Sequence, residues 1–214
     1  MMEIKKNITT KNFNVGNINR IKYIVIHFTA NNGDTALGNT NYFKEYRGSS
    51  AHYFVDENNI YQSVEDKNIA WHCGAKKYKH SYCRNTNSLG IELCSRKDSN
   101  GKYYFKDKTV ENAVELVKML MTKYNVPATN VIRHYDVTGK NCPEPFVRDI
   151  KTWQNFKSRL EEKVVKQNIK IKGKIKTVDA INKDGYTYVK IRDLSDILNI
   201  GYDKDSKLIS VSVK

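Results

Sequence analysis

Two rhythms of apolar and polar positions run along the chain. Ile21-Lys22-Tyr23-Ile24-Val25-Ile26 is a short, nearly continuous apolar run rich in β-branched residues, and it predicts a buried central strand. Ala51–Asp56 and Ile60–Ser63, joined through Glu57-Asn58-Asn59, predict a hairpin. Ser88–Cys94 predicts a further strand and Val131–Arg133 a short one. Helical spacing marks Thr35–Tyr46, with Leu37, Phe43 and Tyr46 among its buried positions. It marks Asp107–Tyr124 most clearly, where Val110, Ala113, Val114, Val117, Leu120, Met121 and Tyr124 form one apolar face. Asp149–Lys163 is the last helix of this region, with Ile150, Trp153, Phe156 and Leu160 facing inward. Residues 1–19 are polar with isolated apolar positions and are expected to cover an edge of the fold.

From Val164 the pattern shifts to Lys-rich, glutamate-free sequence. Ile169–Ile175 alternates apolar and basic residues, as a half-exposed strand does. Asp184-Gly185 reads as a turn, Tyr186–Ile191 as a strand, Arg192–Leu198 as a short helix, and Tyr202–Val213 as a strand pair around Asp203-Lys204-Asp205. The fold class expected is α/β for residues 1–162. Residues 163–168 are then a linker, and 169–214 a second, small α+β C-terminal module.

Composition narrows the function. A chain of 214 residues, 39% hydrophobic, suffices for one well-buried domain plus a small module. No apolar run of membrane-spanning length occurs. The formal charge of +14 divides into +8 for residues 1–162 and +6 for 163–214, so the tail is far more basic per residue. Such charge draws a protein to polyanions or simply keeps it soluble, and alone it does not choose. A nucleic-acid binder would need a groove-entering helix or a base-stacking aromatic motif. Neither is present, and the charge is spread out. Cys73, Cys83 and Cys94 are expected as free thiols, because a chain of this size without an export signal does not call for a disulfide framework.

The candidate chemistry centres on His134-Tyr135-Asp136-Val137-Thr138-Gly139-Lys140-Asn141-Cys142, followed by Pro143. His and Cys are both good zinc ligands. A third ligand is available in His27, at the end of the central strand, where α/β sheets usually bind ligands. A lone histidine there reads more readily as a hydrogen-bonded core residue. Three protein ligands leave a fourth position open, which distinguishes catalytic from structural zinc. Glu92 sits in an otherwise apolar strand, where a carboxylate is costly unless paired, protonated or near a metal. It is the candidate proton carrier, and Lys140 the candidate stabiliser of an oxyanion. A zinc nucleobase deaminase is excluded because its Pro-Cys-x-x-Cys ligand pair is missing. His52, on the hairpin, faces either cleft or core. His72 is open between substrate contact and structure, and adjacent His72 and Cys73 point opposite ways in extended chain.

Together these stretches resemble the zinc-dependent N-acetylmuramoyl-L-alanine amidases of the type-2 amidase and peptidoglycan-recognition superfamily. The resemblance is carried by Tyr23–Thr29, Ser50–Val55, Ala70–Gly74, Asn87–Cys94 and Arg133 through Pro143, in the family's order, over roughly residues 20–160. It is nearest to phage and prophage endolysins of Gram-positive bacteria. It implies a mixed central β-sheet flanked by helices and cleavage of the amide between N-acetylmuramic acid and L-alanine. It also implies Zn2+ on His27, His134 and Cys142, with Glu92 and Lys140 catalytic; His52 and His72 are the candidate substrate-binding residues. Some members carry a catalytic tyrosine where Ala51 stands here, which throws more of the proton transfer onto Glu92. Cys142-Pro143-Glu144 replaces the family's usual Cys-Pro-Gly.

The tail is similar to the copper-amine-oxidase-N-terminal-like repeat, though copper is not implied, since residues 163–214 hold no His, Cys or Met. A cell-wall-binding module that meets anionic wall polymers is expected there. Partners are peptidoglycan and such polymers, with no nucleic acid and no membrane. The N-terminus has positive charge but no apolar core of a signal peptide. The expectation is therefore synthesis in the cytoplasm and action on the wall after membrane breach. The rival readings are a bacterial autolysin with the same activity and a peptidoglycan-binding module without catalysis.

Overall fold

A computed structural model describes residues 3–161, 164–171, 173–183, 185–204 and 206–214. The chain divides into two compact units, Met1–Leu160 and Glu161–Lys214. In the first, the strands are β1 (Ile4–Lys6), β2 (Phe13–Asn14), β3 (Tyr23–Phe28), β4 (Tyr53–Val55), β5 (Ile60–Gln62), β6 (Ile69–Ala70), β7 (Ser88–Leu93), β8 (Arg96–Lys97), β9 (Tyr103–Tyr104) and β10 (Val131–Arg133). The helices are α1 (Ala36–Tyr42), α2 (Asp107–Tyr124), α3 (His134–Thr138), α4 (Glu144–Arg148) and α5 (Ile150–Ser158).

Six strands form a mixed sheet in the order β1-β5-β4-β7-β3-β10. The β4–β5 hairpin is antiparallel, whereas β4–β7, β7–β3, β3–β10 and β1–β5 are parallel. β3 is central and buried on both faces, which is why its sequence is a continuous apolar run and not an alternation. The N-terminal segment does cover an edge, through β1.

Strand periodicity divides the sheet's two faces. Ile24, Ile26, Leu89, Ile91, Tyr53 and Val55 join Ala113, Leu116, Val117 and Leu120 of α2 and Trp153 and Phe156 of α5 in the main core. Val25 points the other way, against Cys73, Cys83 and Val137. The opposite face is therefore the one on which His27 and Glu92 emerge. α2 spans the residues that its spacing predicts and ends at Asn125, whose φ is 51°. All four cysteines are buried and free.

A half-buried cationic tie holds the loop before β6 to the sheet. The Arg20 guanidinium donates to the carbonyls of Lys67 (3.2 Å), Asp66 (2.9 Å) and Ser88 (2.8 Å), and also to that of Asn68. Burial lowers its pKa to about 10, with Asp66 opposing, so it stays cationic at neutral pH.

Several expectations are corrected. α1 is shorter than Thr35–Tyr46; Thr35 is its N-cap, accepting from Gly38 N–H at 3.0 Å. Leu37 and Tyr46, expected inside, are exposed, because the helix ends before Tyr46 and buries Ala36 and Thr40 instead. Ile150 is also exposed, since it opens α5 ahead of the turn that carries Trp153. Among the described residues no helix is long and apolar enough to cross a membrane.

The second unit holds a three-stranded antiparallel sheet of β11 (Val164–Ile171), β12 (Lys174–Lys183) and β13 (Tyr186–Val189), and a pair of β14 (Leu198–Tyr202) and β15 (Ile209–Val213). Residues 164–168, expected as linker, are strand: Val165 and Gln167 pair with Ala180 and Val178, and the latter two residues are buried. Lys163 lies outside the described residues. Ile169–Ile175 is not one strand. The chain reverses at Gly173, whose φ of 80° suits a residue without Cβ, and Ile171 pairs with Lys174. Lys172, Asp184 and Asp205, parts of other expected elements, lie outside the described residues. The expected helix Arg192–Leu198 is a 3-10 turn at Ile191–Leu194, because Leu198 is taken into β14 by pairing with Val213.

Candidate metal centre and cleft

Register brings the site together. β3 and β7 pair with His27 opposite Glu92, and β4 continues the row with Phe54 opposite Glu92. β10 lies on the other side of β3 and runs straight into α3, whose first residue is His134. That junction is fixed by Asp136. Its carboxylate accepts from Arg133 backbone N–H at 2.9 Å and from the Arg133 guanidinium at 2.7 and 3.0 Å. Arg133 Nη1 also donates to the Phe146 carbonyl at 2.9 Å. The start of the His134–Cys142 stretch is thus a short helix locked at its first turn. The return to Cys142 is closed by Tyr135 N–H donating to the Cys142 carbonyl at 2.7 Å.

His27, His134 and Cys142 are all buried and offer ligand atoms within 4.8 Å of one another. Cys142 Sγ is 3.7 Å from His27 Nδ1, and the rings of His27 and His134 have centroids 4.6 Å apart. Zn–N and Zn–S bonds of about 2.0–2.3 Å at tetrahedral angles set ligand atoms about 3.5 Å apart, so the spacing suits a metal. Two orphaned atoms support this reading. His134 Nδ1 and Glu92 Oε2 are buried without a hydrogen-bond partner. A lone pair left so in a protein interior is costly unless a ligand takes it.

Burial sets the protonation of these groups. It lowers His27 well below the ordinary histidine range, helped by His134, His72, Lys140 and His52. It lowers His134 to about 4, with Lys140 and His72 adding. Both rings are thereby neutral, the form that binds metal. Burial raises the Cys142 thiol to about 12, with Glu92 adding. It raises the Glu92 carboxyl to about 8, opposed by Lys140 and assisted by Asp34.

The donors sit in the floor of a cleft of about 800 Å³, which continues into a shallower neighbouring pocket. Trp71, His72, His134 and Lys140 line both. Lys140 is exposed at the rim. Trp71 lines the cleft and donates from Nε1 to Asn14 Oδ1 at 2.5 Å. Asp34 lines it too, and had no signal beyond its turn-like surroundings.

The structure does not bring His52 to this cleft. Its ring is fully buried: Nδ1 accepts from Gly90 N–H at 3.0 Å, and Nε2 lies 3.0 Å from Arg20 Nη2 and 3.1 Å from the Asn68 carbonyl. It faces the same side of the sheet as Phe54 but lies two residues deeper, under the loop that Arg20 ties down. His72 does border the cleft, yet both of its ring nitrogens are engaged by protein, Nδ1 by His27 and Nε2 by Ser88.

The chain is 35% identical over 160 residues to a probable N-acetylmuramoyl-L-alanine amidase of Bacillus licheniformis, an alignment covering 71% of this chain and 44% of that protein. It therefore spans less than half the length of this relative. Among solved structures, PlyL superposes with a TM-score of 0.63 at 28% identity, covering 75% of this chain and 98% of the other. A mutant endolysin from Bacillus subtilis gives 0.62 at 31% identity, covering 75% and 100%. Residues 17–145, more than half the chain, match the family model Amidase_2, described as N-acetylmuramoyl-L-alanine amidase. With that match laid over the same strands that carry His27 and Glu92, the chain belongs to the N-acetylmuramoyl-L-alanine amidase family.

Proposed function

We propose that this chain is a zinc amidase that hydrolyses the bond between the lactyl carbonyl of N-acetylmuramic acid and the nitrogen of L-alanine in peptidoglycan. Its role is that of an endolysin acting on Gram-positive walls. One observation carries the reading: a half-buried carboxylate, Glu92, whose Oε2 has no protein partner, beside a cluster of two neutral histidines and a cysteine in the floor of an open cleft. The likeness to a Bacillus subtilis endolysin supports the biological setting.

His27, His134 and Cys142 would hold the zinc. Bound there, zinc supplies a Lewis acid for the amide carbonyl and makes water a nucleophile near neutral pH. Glu92 takes a proton from the attacking water and returns it to the departing L-alanine nitrogen. Its carboxyl, raised to about 8 by burial, exchanges protons in the neutral range. Lys140, on the rim of the same cleft, faces the developing negative charge on the former carbonyl oxygen. The products are a lactyl carboxylate and a free α-amine. One water is consumed.

Residues 164–214 hold the enzyme on the wall. Their support is the +6 charge of 163–214 and the exposed Tyr186, Tyr188 and Tyr202, which suit an anionic glycopolymer.

Purified chain incubated with cell walls is expected to release L-alanine amino groups without new reducing sugars, and to stop on adding chelator. New reducing ends without amino groups would mean a glycosidase and reject the reading.

A further inference from the structure

One wall of the cleft carries a hydrogen-bond chain that leads away from the donor cluster. His27 Nε2 lies 3.0 Å from His72 Nδ1, and His72 Nε2 lies 3.1 Å from Ser88 Oγ. Ser88 Oγ in turn donates to the Arg84 carbonyl at 2.6 Å. His27, His72 and Ser88 are all buried.

The end of the chain dictates the order of its protons. A carbonyl only accepts, so the Ser88 hydroxyl hydrogen is committed to Arg84. Ser88 Oγ must then accept from His72 Nε2–H. In a neutral imidazole this leaves His72 Nδ1 as the acceptor, and His27 supplies its Nε2–H to it. His27 Nδ1 is left with its lone pair, on the side where Cys142 Sγ lies 3.7 Å away.

The ring of His72 is seated for this task. The backbone N–H groups of His72 and Cys73 both donate to Asn85 Oδ1, at 3.1 and 2.7 Å. The ring lies against the bare Cα of Gly90 on β7. A Cβ there would meet His72 Cγ at 2.5 Å and Nδ1 at 2.8 Å, so no side chain fits without displacing the imidazole. The rings of His27 and His72 stand nearly perpendicular, at 88°.

We infer that His72 is a positioning residue for His27: the chain His27–His72–Ser88, anchored on the Arg84 carbonyl, fixes the ring orientation and the tautomer that present Nδ1 of His27 to the metal. This rests on the zinc-site reading above. It replaces the expectation that His72 hydrogen-bonds substrate, because neither ring nitrogen is free to do so. Metal-ligating histidines depend on such outer partners for roughly 10–100-fold in affinity.

Two measurements on the full chain test it. Long-range 1H–15N NMR of the metal-free protein is expected to show protonated Nε2 and unprotonated Nδ1 on both His27 and His72. A protonated Nδ1 on either ring overturns the inference. Zinc affinity, read by competition with a chromogenic chelator, is expected to fall roughly 10–100-fold in His72→Phe. It should fall by less in Ser88→Ala, recover in Ser88→Thr, and fall in Gly90→Ala. A folded His72→Phe with wild-type affinity overturns the inference. If His72→Phe does not fold, equal affinities in Ser88→Ala and Ser88→Thr overturn it. Wild-type protein that binds no zinc would reject the zinc site itself. Tight wild-type binding with unaffected variants would reject the positioning role alone.

Discussion

Glu92 and His27 are register partners on adjacent parallel strands, and the pairing sets Glu92 Oε1 4.0 Å from His27 Nδ1. Neither side chain can leave this relationship without a slip of β7 against β3, which would also turn Leu89 and Ile91 out of the core. The proposed proton carrier and the first proposed donor are thus fixed by the same ladder that builds the sheet. The Glu92 side chain is 20% exposed, so water reaches it while its Oε2 stays without a protein partner.

Replacing that carboxylate by its neutral isostere isolates its chemistry. Glu92→Gln is expected to keep the fold and the zinc, and to lower kcat by about 10²–10⁴, the usual contribution of a positioned general base. Amine release and zinc content measured on the same sample decide it. Near-wild-type turnover would remove Glu92 from the mechanism.

The role proposed for Lys140 is one of charge alone. It is exposed and lines both pockets, so Lys140→Met is expected to leave thermal stability and zinc affinity unchanged. The loss falls on kcat, by about 10²–10³, as for one oxyanion-stabilising donor. A change in KM with unaltered kcat would assign Lys140 to substrate binding instead.

Zinc binding should also appear in stability. A ligand at a hundredfold excess over its Kd stabilises the folded state by about 2.7 kcal/mol. Scanning calorimetry with and without chelator is expected to show the transition of the unit containing the site rise by several degrees with zinc. Magnesium, a poor match for two nitrogens and a sulfur, should not produce it. Equal transitions would contradict a folded, zinc-loaded site.

Much of this was legible in the sequence where one local rule dominates. The apolar run of β3, the hairpin of β4 and β5, and the periodic face of α2 each specify an element without tertiary help. His27, Glu92, His134 and Cys142 could be named because a polar residue in an apolar strand, or a His and a Cys flanking a short loop, stand out against their surroundings. What stayed hidden depends on contacts far apart in sequence. His52 and His72 look alike on paper, and only the guanidinium of Arg20 and the hydroxyl of Ser88 show that one is sealed in the interior and the other is tied to His27. The helix at His134 had a signal that passed unread: Asp136 sits where it can accept from the N–H of Arg133. Gly173 had another, a lone glycine in an alternating run, which marked a reversal and not a weak point in one strand.

The reading of His52 as interior has its own test. Arg20→Met strips donors from the part-buried carbonyls of Asp66 and Ser88, each about 1–3 kcal/mol if left unsatisfied. It is expected to destabilise by about 3 kcal/mol or more in urea unfolding. His52→Ala should act in the same direction with KM unchanged in the folded fraction. A raised KM with unaltered stability would return His52 to the substrate.

The catalytic unit must be cut after its last core contact, and the family match ends short of that point. The match stops at residue 145, yet Trp153, Phe156 and Leu160 lie in the main core with Ile24, Leu89 and Leu116. Trp153 and Phe156 stack at 11° with centroids 5.5 Å apart, and each is worth about 3–5 kcal/mol when removed from a core. A chain ending at residue 145 is therefore expected not to fold. One ending at Glu161 retains every contact of the first unit and should melt cooperatively and hydrolyse solubilised wall fragments at the full-length rate. Its binding to intact walls in a pull-down should fall, more steeply at low salt than at high, if the basic tail is the anchor. Retained wall binding and lysis by the shortened chain would place the anchor within residues 3–160 and leave the tail without that role.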